Sequence, residues 1–186
     1  MKFLYSVLAV ALLSLSACQN QYGPVGHPPT SKDFLITPGL SAGKISINEN
    51  MDSVMALMGK PDMADAAMGK VVATWYRNHD SASGRIAVYA ARQMGVGDEI
   101  SRVQKIRITD SAYRTQEGIG TGELFIDIAR IIVLRPVDTF RHNNQKFTIF
   151  DSQKGMSFIV NPKGVCDAII LQNPKDSVNT AYLPFY

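Results

Sequence analysis

The sequence predicts an α+β domain built from two tandem units, each a helix followed by an antiparallel meander, with both helices packed on one face of a curved sheet. Three observations predict it. Apolar residues recur at helical spacing in two places, Met51, Val54, Met55 and Met58 and then Leu124, Ile128, Ile131 and Ile132. Each run is followed by short stretches in which apolar and polar residues alternate, the mark of strands with one covered face. Pro61 and Pro136 stop the two helical runs at corresponding points, 75 residues apart.

Taken in order, the chain opens with Met1-Lys2, a short apolar run from Phe3, and small residues at Ser16-Ala17 before Cys18. A positive start, a short apolar stretch and small residues at a cleavage point are the parts of a secretory signal. The apolar run falls short of the roughly 20 residues needed to span a bilayer. Residues 1–17 are therefore expected to be removed, leaving 169 residues with 18 basic and 16 acidic side chains. That near-neutral balance gives no electrostatic reason to expect nucleic acid as a partner.

Residues 18–40 are polar and rich in glycine and proline, with Gly23-Pro24, His27-Pro28-Pro29 and Thr37-Pro38-Gly39. Proline fixes φ and lacks a backbone donor, so this stretch is expected to be an extended tether. The first unit, residues 41–111, begins with Ile45-Ser46-Ile47. Asn50 is placed to cap a helix over 51–58, Gly59 to end it in a left-handed conformation, and Pro61 to prevent its continuation. Strands are expected at 71–76, 85–89 and 103–108, with turn residues at 78–84 and 95–99.

The second unit, residues 112–175, carries Gly118-Ile119-Gly120-Thr121-Gly122 before a helix expected over 123–134. Ile131-Ile132-Val133 would suit a strand equally well, and the parallel with the first half decides for helix. Strands are expected at 146–150, 155–160 and 165–171, with Asn161-Pro162-Lys163-Gly164 as a tight turn. The last residues, 176–186, form an aromatic tail that either docks back on the domain or is offered to a partner.

Two resemblances add to this reading. Leu15-Ser16-Ala17-Cys18 resembles the lipobox of bacterial lipoproteins, which implies that Cys18 becomes a lipidated N-terminus. More than one acyl chain there anchors a protein stably, at about 0.8 kcal/mol per buried CH₂. Gln19 stands where an inner-membrane retention signal carries Asp, so the outer membrane, facing the periplasm, is the expected location. Within residues 41–172, Ile45-Ser46-Ile47, Val54, Leu57, Gly59-Lys60-Pro61-Asp62, residues 115–122, Gly155-Met156-Ser157-Phe158 and Val165 with Ile169 resemble two groups of exported proteins. These are the small outer-membrane lipoproteins of barrel-assembly accessory type and the tandem-repeat beta-lactamase inhibitor proteins. The resemblance implies protein binding without catalysis. Leu134-Arg135-Pro136 departs from the Gly-Lys-Pro that closes the first helix, and no family binding residue is carried over.

The chemistry of the chain gives little to an enzyme. His27 lies in the tether, while His79 and His142 sit in polar turns where solvation is the ordinary fate of a histidine. No metal-binding, nucleophile-elbow or phosphate-loop motif is present, and residues 118–122 lack the lysine-hydroxyl pair of a phosphate loop. No catalytic residue, metal or cofactor is expected. Convergence of His79 and His142 would be needed to favour an enzyme. Once Cys18 is lipidated, Cys166 has no partner in its chain and is expected as a small buried apolar group.

The expected function is therefore that of a membrane-anchored envelope protein that binds another protein, in assembly or maintenance of the outer envelope. Trp75, Tyr76, Tyr89, Arg92, Tyr182, Phe185 and Tyr186 are the candidate partner-binding residues, since exposed Trp, Tyr and Arg commonly supply hot spots. The alternative is a carrier of a small apolar ligand held between helices and sheet.

Overall fold

The computed structural model describes residues 26–92 and 99–176. Its centre is an antiparallel sheet of eight strands. These are β4 (Met63–Ala67), β5 (Lys70–Tyr76), β6 (Arg85–Arg92), β7 (Ser101–Ile108), β8 (Arg135–His142), β9 (Gln145–Asp151), β10 (Met156–Val160) and β11 (Cys166–Gln172). They lie in the order β4-β5-β6-β7-β11-β10-β9-β8, so β7 and β11 pair in the middle while β4 and β8 form the edges. A second sheet joins three two-residue strands, β1 (Ile36–Thr37), β2 (Ser41–Ala42) and β3 (Ile45–Ser46). Two short α-helices, α1 (Met51–Met58) and α2 (Phe125–Ile131), and two three-residue 3-10 turns, Lys32–Phe34 and Arg77–His79, complete the regular elements of the described residues.

The expected α+β architecture is corrected by these elements. Among the described residues 46% are strand and 14% helix, which makes the chain mostly β. Helices of eight and seven residues are too short to form a layer over eight strands. The chain forms one eight-stranded and one three-stranded antiparallel sheet in place of two helix-plus-meander units, and the ladder from Ile169↔Ile108 to Gln172↔Lys105 joins the halves of the larger one. The helical periodicity is real but brief, about two turns in each helix, too little to set the fold class.

Local chemistry explains each surviving element. Asn50 caps α1, its Oδ1 accepting the Asp52 amide at 2.9 Å, and Gly59 follows at φ +78, a backbone that favours glycine. In α2 no side chain caps the N-terminus, and the helix ends by Ile132, which is already extended. Pro136 does not end that helix; it lies inside β8, beside a bulge between Pro136 and Asp138. The stretch expected as tether enters the domain early. Lys32–Phe34 form a 3-10 turn, Ile36 is buried, and the Phe34 ring meets Tyr113 edge-on at 5.3 Å.

Alternation divides the sheet into two faces. On the first, Trp75, Ile86, Val88, Ile106, Ile108, Phe158, Ile169 and Leu171 form one cluster with Ile36, Ile45, Met51, Val54, Tyr113 and Ile128 from the covering segments. The second face carries a smaller cluster of Ala87, Tyr89, Phe147, Ile149, Ile159, Ala168 and Ile170. Full burial of a large aliphatic or aromatic side chain stabilises by about 1.5–3 kcal/mol, so the first face supplies most of the hydrophobic stabilisation.

Candidate protein interface

The two edges of the main sheet differ in how they meet solvent. Edge strands present unpaired main-chain donors and acceptors, and proteins usually guard them with proline, charge or bulges. β8 is guarded by all three: Pro136 lacks a donor, Arg135, Asp138 and Arg141 supply charge, and the bulge interrupts its ladder. β4 has little protection. Its sequence is Met63-Ala64-Asp65-Ala66-Ala67, every residue is exposed, and Asp65 is its one charge.

The β4–β5 hairpin turns through Met68 and Gly69, both at positive φ (52° and 74°), the geometry of a two-residue turn matched to strand twist. Ala67 and Lys70 flank the turn, and the register runs on through Asp65↔Val72 to Met63↔Thr74. By the alternation of an antiparallel ladder, Met63, Asp65 and Ala67 direct their main-chain groups to β5. Ala64 and Ala66 direct theirs outward. Met63 at 56% exposure and Met68 at 92% bracket this edge with polarizable apolar surface.

The end of the hairpin is fixed by a small polar network. The Asp62 carboxylate accepts the Tyr76 amide at 2.7 Å and meets His79 Nδ1 at 2.7 Å. The Tyr76 amide first, and His79 second, hold the Asp62 carboxyl below its ordinary value. Tyr76 Oη donates to Met63 Sδ at 3.0 Å, tying the aromatic side chain to the edge strand.

The residues singled out in the sequence are scattered. Trp75 points into the first-face core, 6% exposed, and its Nε1 donates to the Gly59 carbonyl; it is a structural anchor, not an exposed contact. Tyr76 is half-buried beside β4. Tyr89 is buried on the second face. Arg92 is exposed at the end of β6, its amide bonded to the Gly69 carbonyl next to the hairpin turn. Tyr76 and Arg92 thus flank the β4–β5 hairpin, while Trp75 and Tyr89 do not reach solvent. Cys18, Tyr182, Phe185 and Tyr186 lie outside the described residues, as do the signal segment and most of the expected 95–99 turn.

β4 itself was missed because small exposed residues carry no periodicity; only the Met68-Gly69 turn next to a β-branched run could have signalled it. Also missed was the polar content of the second face. Thr74, Lys105, Arg107, Ser157 and Gln172 are all buried there, aligned by Tyr89↔Lys105 and Ala87↔Arg107 on β6–β7 and by Ile170↔Arg107 on β11. The strand 103–108 read as wet on this side, yet Lys105 is 7% and Arg107 4% exposed. Burial lowers the pKa of Lys105. Arg107 is brought down to about 10 by burial first and by neighbouring Arg85, against the pull of Asp167.

His79 and His142 do not converge. Six strand spacings separate β5 from β8, about 29 Å along the sheet at 4.8 Å per strand. Among the described residues, no three His, Cys, Asp or Glu side chains group as metal ligands. His27 is exposed, and no helix among the described residues is long and apolar enough to cross a membrane. Between helices and sheet, where an apolar ligand would be carried, Met51, Val54 and Ile128 share one packed cluster with Ile106 and Phe158. Cys166 is fully buried, and burial pushes its thiol well above the ordinary range.

No protein-family model matches this chain, and no curated protein sequence does. Among solved structures it is similar to an extracellular protein containing an SCP domain from Bacillus anthracis str. Ames. That similarity has 9% identity and a TM-score of 0.44, over 75% of this chain and 50% of that one. At that distance it carries no argument about fold or function.

Proposed function

We propose that this chain is a lipid-anchored envelope protein that binds another protein by accepting an extended segment along β4. The observation that carries the reading is a fully exposed edge strand lacking the proline and bulge that protect the opposite edge. In strand addition, main-chain bonds give affinity and alternate side chains give specificity. Ala64 and Ala66 are small enough to let an incoming backbone approach, while Met63, Met68, Tyr76 and Arg92 border the edge. The Leu15-Ser16-Ala17-Cys18 segment supports an anchor at Cys18, and Gln19 after it supports a location on the periplasmic side of the outer membrane.

The test is a photo-crosslinking residue placed at Ala64 in the intact chain, expressed in its native envelope. Capture of a discrete protein from Ala64, and none from an equivalent residue at Val133, is the expected result. Val133 is 80% exposed and lies between α2 and β8. Equal capture, or none, from the two positions overturns the proposal.

A further inference from the structure

At the far end of the sheet from β4, two hairpin tips lie side by side. The β8–β9 turn passes through Asn143 and Asn144 at positive φ (47° and 60°), and the last strand pairs before it are His142↔Gln145 and Arg141↔Lys146. The β10–β11 turn is built around Asn161, whose Oδ1 accepts the amides of Lys163 at 2.9 Å and Val165 at 3.1 Å. Because Val160 pairs with Thr148, the second tip stands next to the start of β9. Between the tips is a cleft of about 440 Å³ lined by Arg141, Asn144, Gln145, Lys146, Asn161 and Lys163, together with a proline.

The charge in this cleft is one-sided. Arg141 and Lys146 are directly opposite each other on adjacent strands, an arrangement that destabilises a sheet when the charges are alike. Lys163 brings a third cation from the neighbouring turn, and among the described residues no carboxylate lines the space. Asp167, the acid close in sequence, is held by the Asn161 side-chain amide at 2.7 Å. The chain as a whole carries a formal charge of only +3, so gathering three cations here does not follow from composition.

We propose that this cleft binds a phosphate group carrying more than one negative charge or a phosphodiester held by several cations at once. An anion between Arg141 and Lys146 turns their repulsion into two charge-assisted hydrogen bonds, and the planar guanidinium grips two phosphate oxygens together. The Asn144 and Gln145 amides add neutral donors. The cleft is large enough for a diphosphate or a phospholipid headgroup. In a lipid-anchored protein a headgroup source would turn this end of the sheet to the bilayer and leave β4 pointing away. The inference goes beyond the proposed capture at β4, and its test does not involve that edge.

The chain from position 18 onward, carrying Cys18→Ser so that no acyl chain is attached, is titrated in detergent-free buffer with pyrophosphate by calorimetry and, separately, co-sedimented with phosphatidylcholine vesicles with and without phosphatidylglycerol. Each of Arg141→Gln, Lys146→Gln and Lys163→Gln is expected to weaken binding about fivefold and the triple variant about a hundredfold, taking roughly 1 kcal/mol per surface cation. Lys44→Gln, which removes a distant exposed cation paired with Asp33, is expected to leave binding unchanged. Cleft-dependent binding of pyrophosphate supports the site with a soluble phosphate as its ligand; binding confined to phosphatidylglycerol vesicles supports it with a lipid headgroup. Binding to neither probe, binding that survives the triple substitution, or an equal loss from Lys44→Gln overturns the proposal.

Discussion

Replacing Ala66 by proline separates the outer side of β4 from its inner side. Ala66 lies between Asp65 and Ala67, whose main-chain groups serve β5. Its own N–H faces outward, so the substitution removes a donor that the domain does not use. Proline is tolerated on edge strands in that orientation, and the cost to the fold is expected to stay below about 1 kcal/mol. The outer edge offers the N–H and C=O groups of Ala64 and Ala66, four main-chain groups in all. The proline deletes one donor and its ring obstructs the neighbouring bond, so about two bonds at 0.5–1.5 kcal/mol each are lost. Capture from a crosslinker at Ala64 should fall by about 5- to 150-fold, while the thermal midpoint moves little. Asp65→Pro is the contrast, since it removes a ladder donor and should loosen the hairpin itself. If Ala66→Pro folds normally and captures as much partner as the parent chain, strand addition at β4 is wrong.

Three further outcomes follow from the core and the polar network. Phe158→Ala empties a fully buried position at the centre of the first face; a loss of about 3–5 kcal/mol is expected from chemical denaturation. Cys166 should resist alkylation in the native protein and react once unfolded, because its thiol is buried and held protonated; rapid native labelling measured by mass would refute that burial. Asp62 has its folded pKa lowered by the Tyr76 amide and then by His79, so its contribution is complete above the ordinary carboxylate value and fades as pH falls through the lower folded one. Stability measured against pH should therefore decline less on acidification in Asp62→Asn than in the parent chain.

The parts of this fold that could be read from sequence are those where burial imposes a pattern. The α1 cap at Asn50 and the alternation of β6 and β7 gave correct elements within a residue or a few of their ends. β4 and β8 escaped because an edge strand exposed along its length has no core to enforce alternation. β1 escaped because it lies in the Gly/Pro-rich stretch that reads as tether, and β2 and β3 because a two-residue strand is too short to show alternation. With β4 and β8 invisible, each half shows three strands beside one helical stretch, and that balance is what predicts α+β. At the interface, adjacency told that Trp75 and Tyr76 face opposite ways but not which one reaches solvent. The Trp75 bond to Gly59, sixteen residues away in sequence, decides it.

The central position of the β7–β11 ladder has a consequence for how this chain reaches its native state. During synthesis the residues through Ile108 can assemble α1 and β4 to β7, yet β7 then ends in an open seam flanked by Ile106 and Ile108. Its natural neighbour, Cys166–Gln172, is more than fifty residues further along and closes the seam last. Until then the nascent half has sticky borders on both sides, and a chain truncated before β11 should self-associate instead of persisting as a smaller monomer.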